Sequence, residues 1–233
     1  MKLIEFKNVS KKYSSHQAVN DFSVEIEKGE RLAILGHSGC GKTTILRLLA
    51  GFIAPDSGSI VINDNVVASD GRVIKEPEFR NLGMVFQDLA LWPHLTVKGN
   101  LEFGLKAKGI PAGERNKRIE DTLKLMQMEK YIHAKPAELS GGQQQRIALA
   151  RALVLHPEAL LMDEPLSNLD LELNIQLRNE IIKLHQQIGF TLIYVTHDRE
   201  EAYEIATRIV VMEDGRIRLI GSANDIRDYF VSQ

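Results

Sequence analysis

Eight consecutive residues, Gly36-His37-Ser38-Gly39-Cys40-Gly41-Lys42-Thr43, fit the pattern G-x-x-x-x-G-K-[ST]. Glycines in this register let successive backbone N–H groups turn inward around a phosphate, and a helix starting here adds the positive end of its dipole. Lys42 then reaches the outer phosphates, and the Thr43 hydroxyl is offered to Mg²⁺. A second acidic feature lies far downstream, where the apolar run Leu160-Leu161-Met162 ends in Asp163-Glu164-Pro165. Pro165 stops the strand ladder, so two adjacent carboxylates emerge at a strand end. There Asp163 would hold Mg²⁺ through water, and Glu164, pointing to the other side, would orient and deprotonate an attacking water. A solvated turn is the alternative.

A third stretch, Leu139-Ser140-Gly141-Gly142-Gln143-Gln144-Gln145-Arg146, has too many glycines and polar side chains for a helix interior. Ile147, Ala150, Leu153 and Val154 then follow at helical spacing, so the stretch is a helix N-terminus. Two readings stand: a second anion site, separate from the glycine loop, or an ordinary N-cap at Ser140. Cys40 also has two readings. Beside Lys42 and a helix start its thiol could be acidified and reactive, or it is simply a tolerated small residue.

These residues need a scaffold. An apolar strand over 31–35 and an apolar helix over 44–50 flank the glycine loop, and strands over 3–9 and 22–26 precede it. Residues 59–62 and 66–67, joined by Asn63-Asp64-Asn65, read as a hairpin, and 72–80 as an exposed charged connection before a short strand over 82–86. From 97 to about 131 the pattern is helical, broken at Gly109-Ile110-Pro111. Strands over 159–162 and 191–195 each follow a helix, over 143–154 and 172–187. Continuous apolarity alternating with helices predicts a parallel sheet covered on both faces. A strand over 209–212, a turn, a strand over 216–220 and a short helix complete the chain.

Composition narrows the classes. Twenty-nine Lys and Arg against 31 Asp and Glu give a net charge of −2, so no strong field recruits nucleic acid or anionic lipid. No apolar run approaches the roughly 18 to 20 residues of a spanning helix; any membrane role must come through a partner. Residues 1–8 alternate like a strand rather than forming a signal peptide's apolar block. A single cysteine allows no internal disulfide and fits a reducing cytosol. The histidines other than His197 show no metal-ligand spacing and read as surface or packing residues.

Taken together, the glycine loop, the acidic strand end and residues 139–146 resemble the motifs of ATP-binding cassette ATPases, in that family's order across essentially the whole chain. The resemblance implies an α/β P-loop hydrolase core with a mainly parallel sheet, an N-terminal antiparallel β subdomain and an inserted helical subdomain over about 88–155. It implies a single nucleotide-binding domain over 1–233, and ATP and Mg²⁺ as ligands; many relatives carry a further C-terminal regulatory domain, which is not expected within these residues, whether the protein is a short member of the family or a longer one cut short. Ser38, Gly39, Cys40, Gly41, Lys42, Thr43 and Thr44 would cradle the phosphates. Tyr13 would stack on adenine, and Val19 would pack against the nucleotide. Gln87 would touch Mg²⁺ or the attacking water, and His197 the γ-phosphate. Ser167-Asn168-Leu169-Asp170 resembles the family's D-loop, although Asn168 stands where Ala is usual. Ser140, Gly141, Gly142, Gln143 and Asp170 would complete the site of a second subunit.

The run over 86–97, with Asn100-Leu101, and the run Thr196-His197-Asp198-Arg199-Glu200-Glu201-Ala202 are similar to ATPases of binding-protein-dependent importers for sugars, polyamines, sulfate or ferric iron. That likeness implies a second copy or a paralogous cassette, integral membrane permease subunits and an extracytoplasmic solute-binding protein as partners, no nucleic acid, and a peripheral position on the cytoplasmic face of the membrane. Residues 88–95, with Trp92, Pro93 and His94 exposed, would rim the permease groove; the competing view places Trp92 and Leu95 in the helical core. A soluble cassette ATPase acting on ribosomes or DNA is the alternative function, disfavoured by the short span between Lys42 and Ser140 and the absence of a basic tail.

Overall fold

The computed structural model describes residues 1–14, 16–167 and 169–231. The strands are β1 (Lys2–Tyr13), β2 (His16–Glu27), β3 (Arg31–Leu35), β4 (Ser57–Ile62), β5 (Asn65–Ser69), β6 (Arg72–Val73), β7 (Leu82–Val85), β8 (Ala159–Asp163), β9 (Thr191–Thr196), β10 (Arg208–Glu213) and β11 (Arg216–Ser222). They form two sheets. One is antiparallel, in the order β2-β1-β4-β5-β6, and the other runs β11-β10-β3-β9-β8-β7. In the second sheet every neighbouring pair is parallel except β10 with β11. The expected α/β core and N-terminal antiparallel unit are both present. β9 is buried along its whole length, as a strand covered on both faces must be.

The helices are α1 (Lys42–Ala50), α2 (Val97–Ala107), α3 (Ala112–Leu125), α4 (Gly141–Leu153), α5 (Leu171–Ile188), α6 (Arg199–Ile205) and α7 (Ala223–Val231). Ile45, Leu46, Leu48 and Leu49 of α1 have no exposed surface and share a core with Leu32, Ile34, Leu161, Ile193 and Val195 of the parallel strands. Burying each such side chain is worth roughly 1.5–3 kcal/mol. α1 is thereby fixed with its N-terminus at the carboxyl ends of β3, β8 and β9, where ligands of open α/β sheets bind. α2, α3 and α4, inserted between β7 and β8, bury Leu101, Leu105, Ile119, Leu123 and Ile147 in a second core.

Three local expectations are corrected. β1 and β2 continue well beyond 3–9 and 22–26, because their polar outer halves are held by the antiparallel ladder. α6 was not expected; its start is marked by Asp198, whose side chain accepts from the Glu201 backbone N–H. The connection over 72–80 is not exposed throughout, for it ends in Arg80, which is buried.

His185 near the end of α5 bridges to the turn before β3. Its Nε2 lies 2.9 Å from Gly29 O and its Nδ1 3.3 Å from Arg31 Nη1. Arg31 can only donate, so Nδ1 must accept and the proton sits on Nε2, facing the carbonyl. Only the neutral ring satisfies both contacts, and burial, with Arg31 adding to it, lowers the pKa below the ordinary 6.5. A histidine depressed in the fold lets the unfolded chain take the proton first, so its contribution is full above 6.5 and fades as pH falls below it. Urea unfolding between about pH 7.5 and 5.5 is expected to show a steeper loss for the wild type than for His185→Gln, by less than about 1.4 kcal/mol per pH unit.

Candidate active site

The glycine loop leaves β3 at Leu35 and enters α1 at Lys42. A Cβ at Gly41, where φ is +106°, would lie 2.1 Å from Ala18 O, and one at Gly36 would lie 2.5 Å from Met212 O. The loop therefore threads between two backbones where only glycine fits. Lys42, 4% exposed, donates from Nζ to Gly36 O at 2.8 Å and to His37 O at 3.1 Å. Its ammonium sits inside the loop, 3.4 Å from Glu164 Oε1. Next to it, Thr43 Oγ1 donates to Asp163 Oδ1 at 2.9 Å. Burial raises the Asp163 carboxyl above its ordinary range, against the Thr43 hydrogen bond. Two hard oxygens side by side, one of them a desolvated carboxylate, suit Mg²⁺, which takes one or two protein oxygens and fills its shell with water and phosphate.

Glu164 is a non-glycine residue with φ +45°. That left-handed conformation is held by its N–H donating to Val195 O at 3.0 Å, and its carboxylate meets Lys42 and His197 whereas that of Asp163 meets Thr43. Glu164 Oε2 lies 2.9 Å from His197 Nδ1. β8 and β9 are neighbours, so the residues that follow them meet at the carboxyl end of the sheet although 33 positions separate them in sequence. Gln87 donates to Ser167 Oγ at 3.3 Å, and Ser167 Oγ in turn donates to Glu164 O at 3.0 Å. Gln87 is thus tied to the Glu164 turn through Ser167, rather than to Thr43 or Asp163.

Tyr13, 43% exposed at the end of β1, lines a cavity of about 290 Å³ with His16, Ala18, Gly39, Gly41, Lys42, Thr43 and Thr44. Val19 has no exposed surface and belongs to the β core. Strand alternation accounts for this: 16 and 18 share one face of β2, and 19 turns to the other. His16 and Ala18 were missed as lining residues, and that parity was the signal that could have found them. Ser38 is exposed on the loop.

Ser140 is the N-cap of α4: its side chain accepts from Gln143 N at 3.4 Å, and Gln143 Oε1 accepts from Ser140 N at 2.9 Å, a capping box. Gln143 Nε2 donates to Tyr131 OH at 2.7 Å. A Cβ at Gly142 would come within 2.8 Å of Leu173 Cδ1, so the helix start packs on α5, whose N-cap is Asp170. Gly141 is exposed beside it. Among the described residues no hydrogen bond or ion pair joins 140–143 or 170 to 36–44. Asn168 lies outside the described residues.

The acidified-thiol reading of Cys40 is corrected. The side chain is buried, and desolvation pushes the thiol up against the opposing pull of Lys42. N-ethylmaleimide is expected to label the native chain about 10³-fold or more slower than the denatured chain, since reaction waits on opening; mass spectrometry of timed quenches checks it.

Among the described residues no helix is long and apolar enough to cross a membrane. Residues 19–167 match the family described as ABC transporter. The chain is 47% identical over 223 residues to the Fe(3+) ions import ATP-binding protein FbpC of Fusobacterium nucleatum, covering 96% of this chain and 59% of that protein. It is 46% identical to the spermidine/putrescine import ATP-binding protein PotA of Oleidesulfovibrio alaskensis, covering 96% and 59%. To the oligosaccharides import ATP-binding protein MsmX of Bacillus subtilis it is 48% identical, covering 91% and 57%. The chain thus spans under two thirds of the length of these relatives. Among solved structures, cbiO1 from Clostridium perfringens, part of the ABC transporter complex cbiONQ, superposes with a TM-score of 0.87 at 28% identity, covering 97% of this chain and 91% of that one. The ATP-binding cassette MJ0796, in a dimeric post-hydrolysis state bound to ADP and Pi, gives 0.82 at 32% identity, covering 95% and 99%. Motifs, topology and these likenesses agree, and the chain belongs to the ABC transporter family as an ATP-binding cassette.

Proposed function

We propose that this chain binds and hydrolyses ATP to drive uptake of a solute through a membrane permease, working as one of two cassettes that close on ATP. The observation that carries the reading is the convergence of Lys42, the Thr43–Asp163 pair and the Glu164–His197 pair at one end of the parallel sheet. Lys42 neutralises the outer phosphates, and Tyr13, with His16 and Ala18, offers the wall for the base. Thr43 and Asp163 would hold Mg²⁺, which would supply positive charge against the phosphates. Glu164 accepts the proton of the attacking water, and His197, donating from Nδ1, fixes that carboxylate and lies where the γ-phosphate would be reached. Gln87, linked through Ser167, reports on the same turn.

Ser140, Gly141, Gly142, Gln143 and Asp170 lie at the starts of α4 and α5, with no hydrogen bond or ion pair to the chain's own loop among the described residues. A second anion site at a helix N-terminus is used if a second cassette brings its phosphate loop there. The dimeric relative bound to ADP and Pi supports that arrangement. Residues 88–155 then form the helical subdomain. Phe52, stacked on Phe86, and Phe103, against Trp92, are half exposed at either end of residues 87–95. This aromatic rim suits the permease. Trp92 and Leu95 are themselves half-buried while Pro93 and His94 are exposed, which supports the rim reading for Pro93 and His94 and the core reading for Trp92 and Leu95. Relatives named for ferric ions, polyamines and oligosaccharides are equally similar, which supports import and leaves solute choice to other subunits.

Purified chain is expected to hydrolyse ATP only with Mg²⁺, and Glu164→Gln with ATP to elute at twice the monomer mass in gel filtration. Failure to bind ATP overturns the reading, and turnover that does not depend on Glu164 overturns the assigned roles.

A further inference from the structure

The loop over 87–95 is pinned at three places. At its start, Gln87 reaches the Glu164 turn through Ser167. At its end, Asn100 of α2, which has no exposed surface, accepts from Trp92 N at 2.9 Å and donates to Trp92 O at 3.2 Å and Thr96 O at 3.0 Å. In the middle, Leu89 and Leu91 rest against the helical core, and one side chain bonds the backbone. Arg151, in the last turn of α4, donates from Nη2 to Leu89 O at 2.8 Å and from Nη1 to Ala90 O. Its guanidinium also lies 5.0 Å from the centre of the Trp92 ring, which packs 4.6 Å from Phe103.

The two carbonyls belong to consecutive non-glycine residues in the left-handed region, Leu89 at φ +59° and Ala90 at φ +47°. Neither adopts that conformation without being held. A planar fork that donates to two carbonyls and stacks on an indole is a use for which arginine is suited and lysine is not. The same helix begins at Ser140, so the element that presents the second anion site at one end grips the proposed permease loop at the other.

We propose that Arg151 is the positioning residue that makes the 87–95 loop move with α4, so that closure of two cassettes on ATP is felt at Trp92 and the aromatic rim. This rests on the functional reading above only in taking ATP-driven closure as the motion that displaces α4.

Trp92 is the sole tryptophan of the chain, and its emission reads this loop directly. In a Glu164→Gln background, ATP with Mg²⁺ is expected to double the mass and, in the same sample, to change Trp92 emission and its quenching by acrylamide. Adding Arg151→Met, or Arg151→Lys, which keeps the charge but loses the planar fork and its stacking on Trp92, is expected to leave the mass change and abolish the change at Trp92. An unchanged Trp92 response in a dimerising Arg151→Lys chain overturns the proposal, as does a dimer with Arg151 intact in which Trp92 does not respond. If the chain with Arg151 intact fails to bind ATP or to dimerise, the functional reading fails first, and the proposal falls with it.

Discussion

Glu164→Gln is expected to retain ATP binding and to lower turnover by about 10²–10⁴-fold, the range a positioned general base contributes. The amide has nearly the shape of the carboxylate, so the contacts that place it survive: the N–H to Val195 O and a side-chain oxygen facing His197 Nδ1. What is lost is the ability to take a proton. A second consequence follows from Lys42, 3.4 Å away. Removing the negative charge frees the ammonium for phosphate, so ATP affinity is expected to hold or tighten. Single-turnover hydrolysis with ATP in excess of its Kd separates the two effects, since a binding defect disappears there and a chemical one does not. Turnover within a factor of a few of wild type would move the base elsewhere, and the adjacent Asp163 already accepts from Thr43.

Much of this site was legible because its parts are local in sequence. The glycine loop between a strand and a helix, and a carboxylate pair before a proline, each state their geometry within a few residues. What was not legible depends on pairing at a distance. Glu201 is buried, accepting from Tyr194 OH at 2.9 Å, Thr196 Oγ1 at 2.7 Å and Asn174 Nδ2 at 2.8 Å. It locks α5 to β9, the strand that His197 follows. In sequence it is one acid in a charged helix, and nothing local marks it as core. The same holds for Glu164's left-handed backbone, imposed by β9, and for Arg151, whose targets are the carbonyls of two residues in another element. Family resemblance placed Val19 at the nucleotide, whereas the parity of β2 turns Ala18 towards the loop and Val19 into the core.

Arg80 is the largest of these long-range surprises, and Arg80→Met is expected to destabilise the chain by about 3 kcal/mol. Its guanidinium, 1% exposed, donates to Lys75 O at 2.8 Å, Leu48 O at 3.0 Å, Leu49 O at 2.7 Å and Val67 O at 2.9 Å. It occupies the space left by Gly51, where a Cβ would lie 2.6 Å from Arg80 Nε. Burial lowers its pKa to about 10, with Glu76 opposing, so it stays charged at neutral pH. On its loss, Leu48 O keeps the Gly51 N–H and Val67 O keeps those of Ile74 and Lys75. The Leu49 and Lys75 carbonyls would keep no donor. One buried acceptor, Leu49 O, and one part-buried acceptor, Lys75 O, at about 1–3 kcal/mol each, less the relief of no longer burying a charge, set the figure. For a chain of this size that corresponds to a Tm lower by roughly 10 °C, read by calorimetry. Arg80→Lys should fall between, because one ammonium cannot span carbonyls from α1, β5 and the turn before β7. The deficit should appear first in α1, which loses the Arg80 donors at Leu48 O and Leu49 O and whose N-terminus follows the glycine loop, so saturating ATP is expected to recover part of the Tm. A Tm equal to wild type would mean that water replaces the guanidinium without cost, and that this buried charge is not a staple.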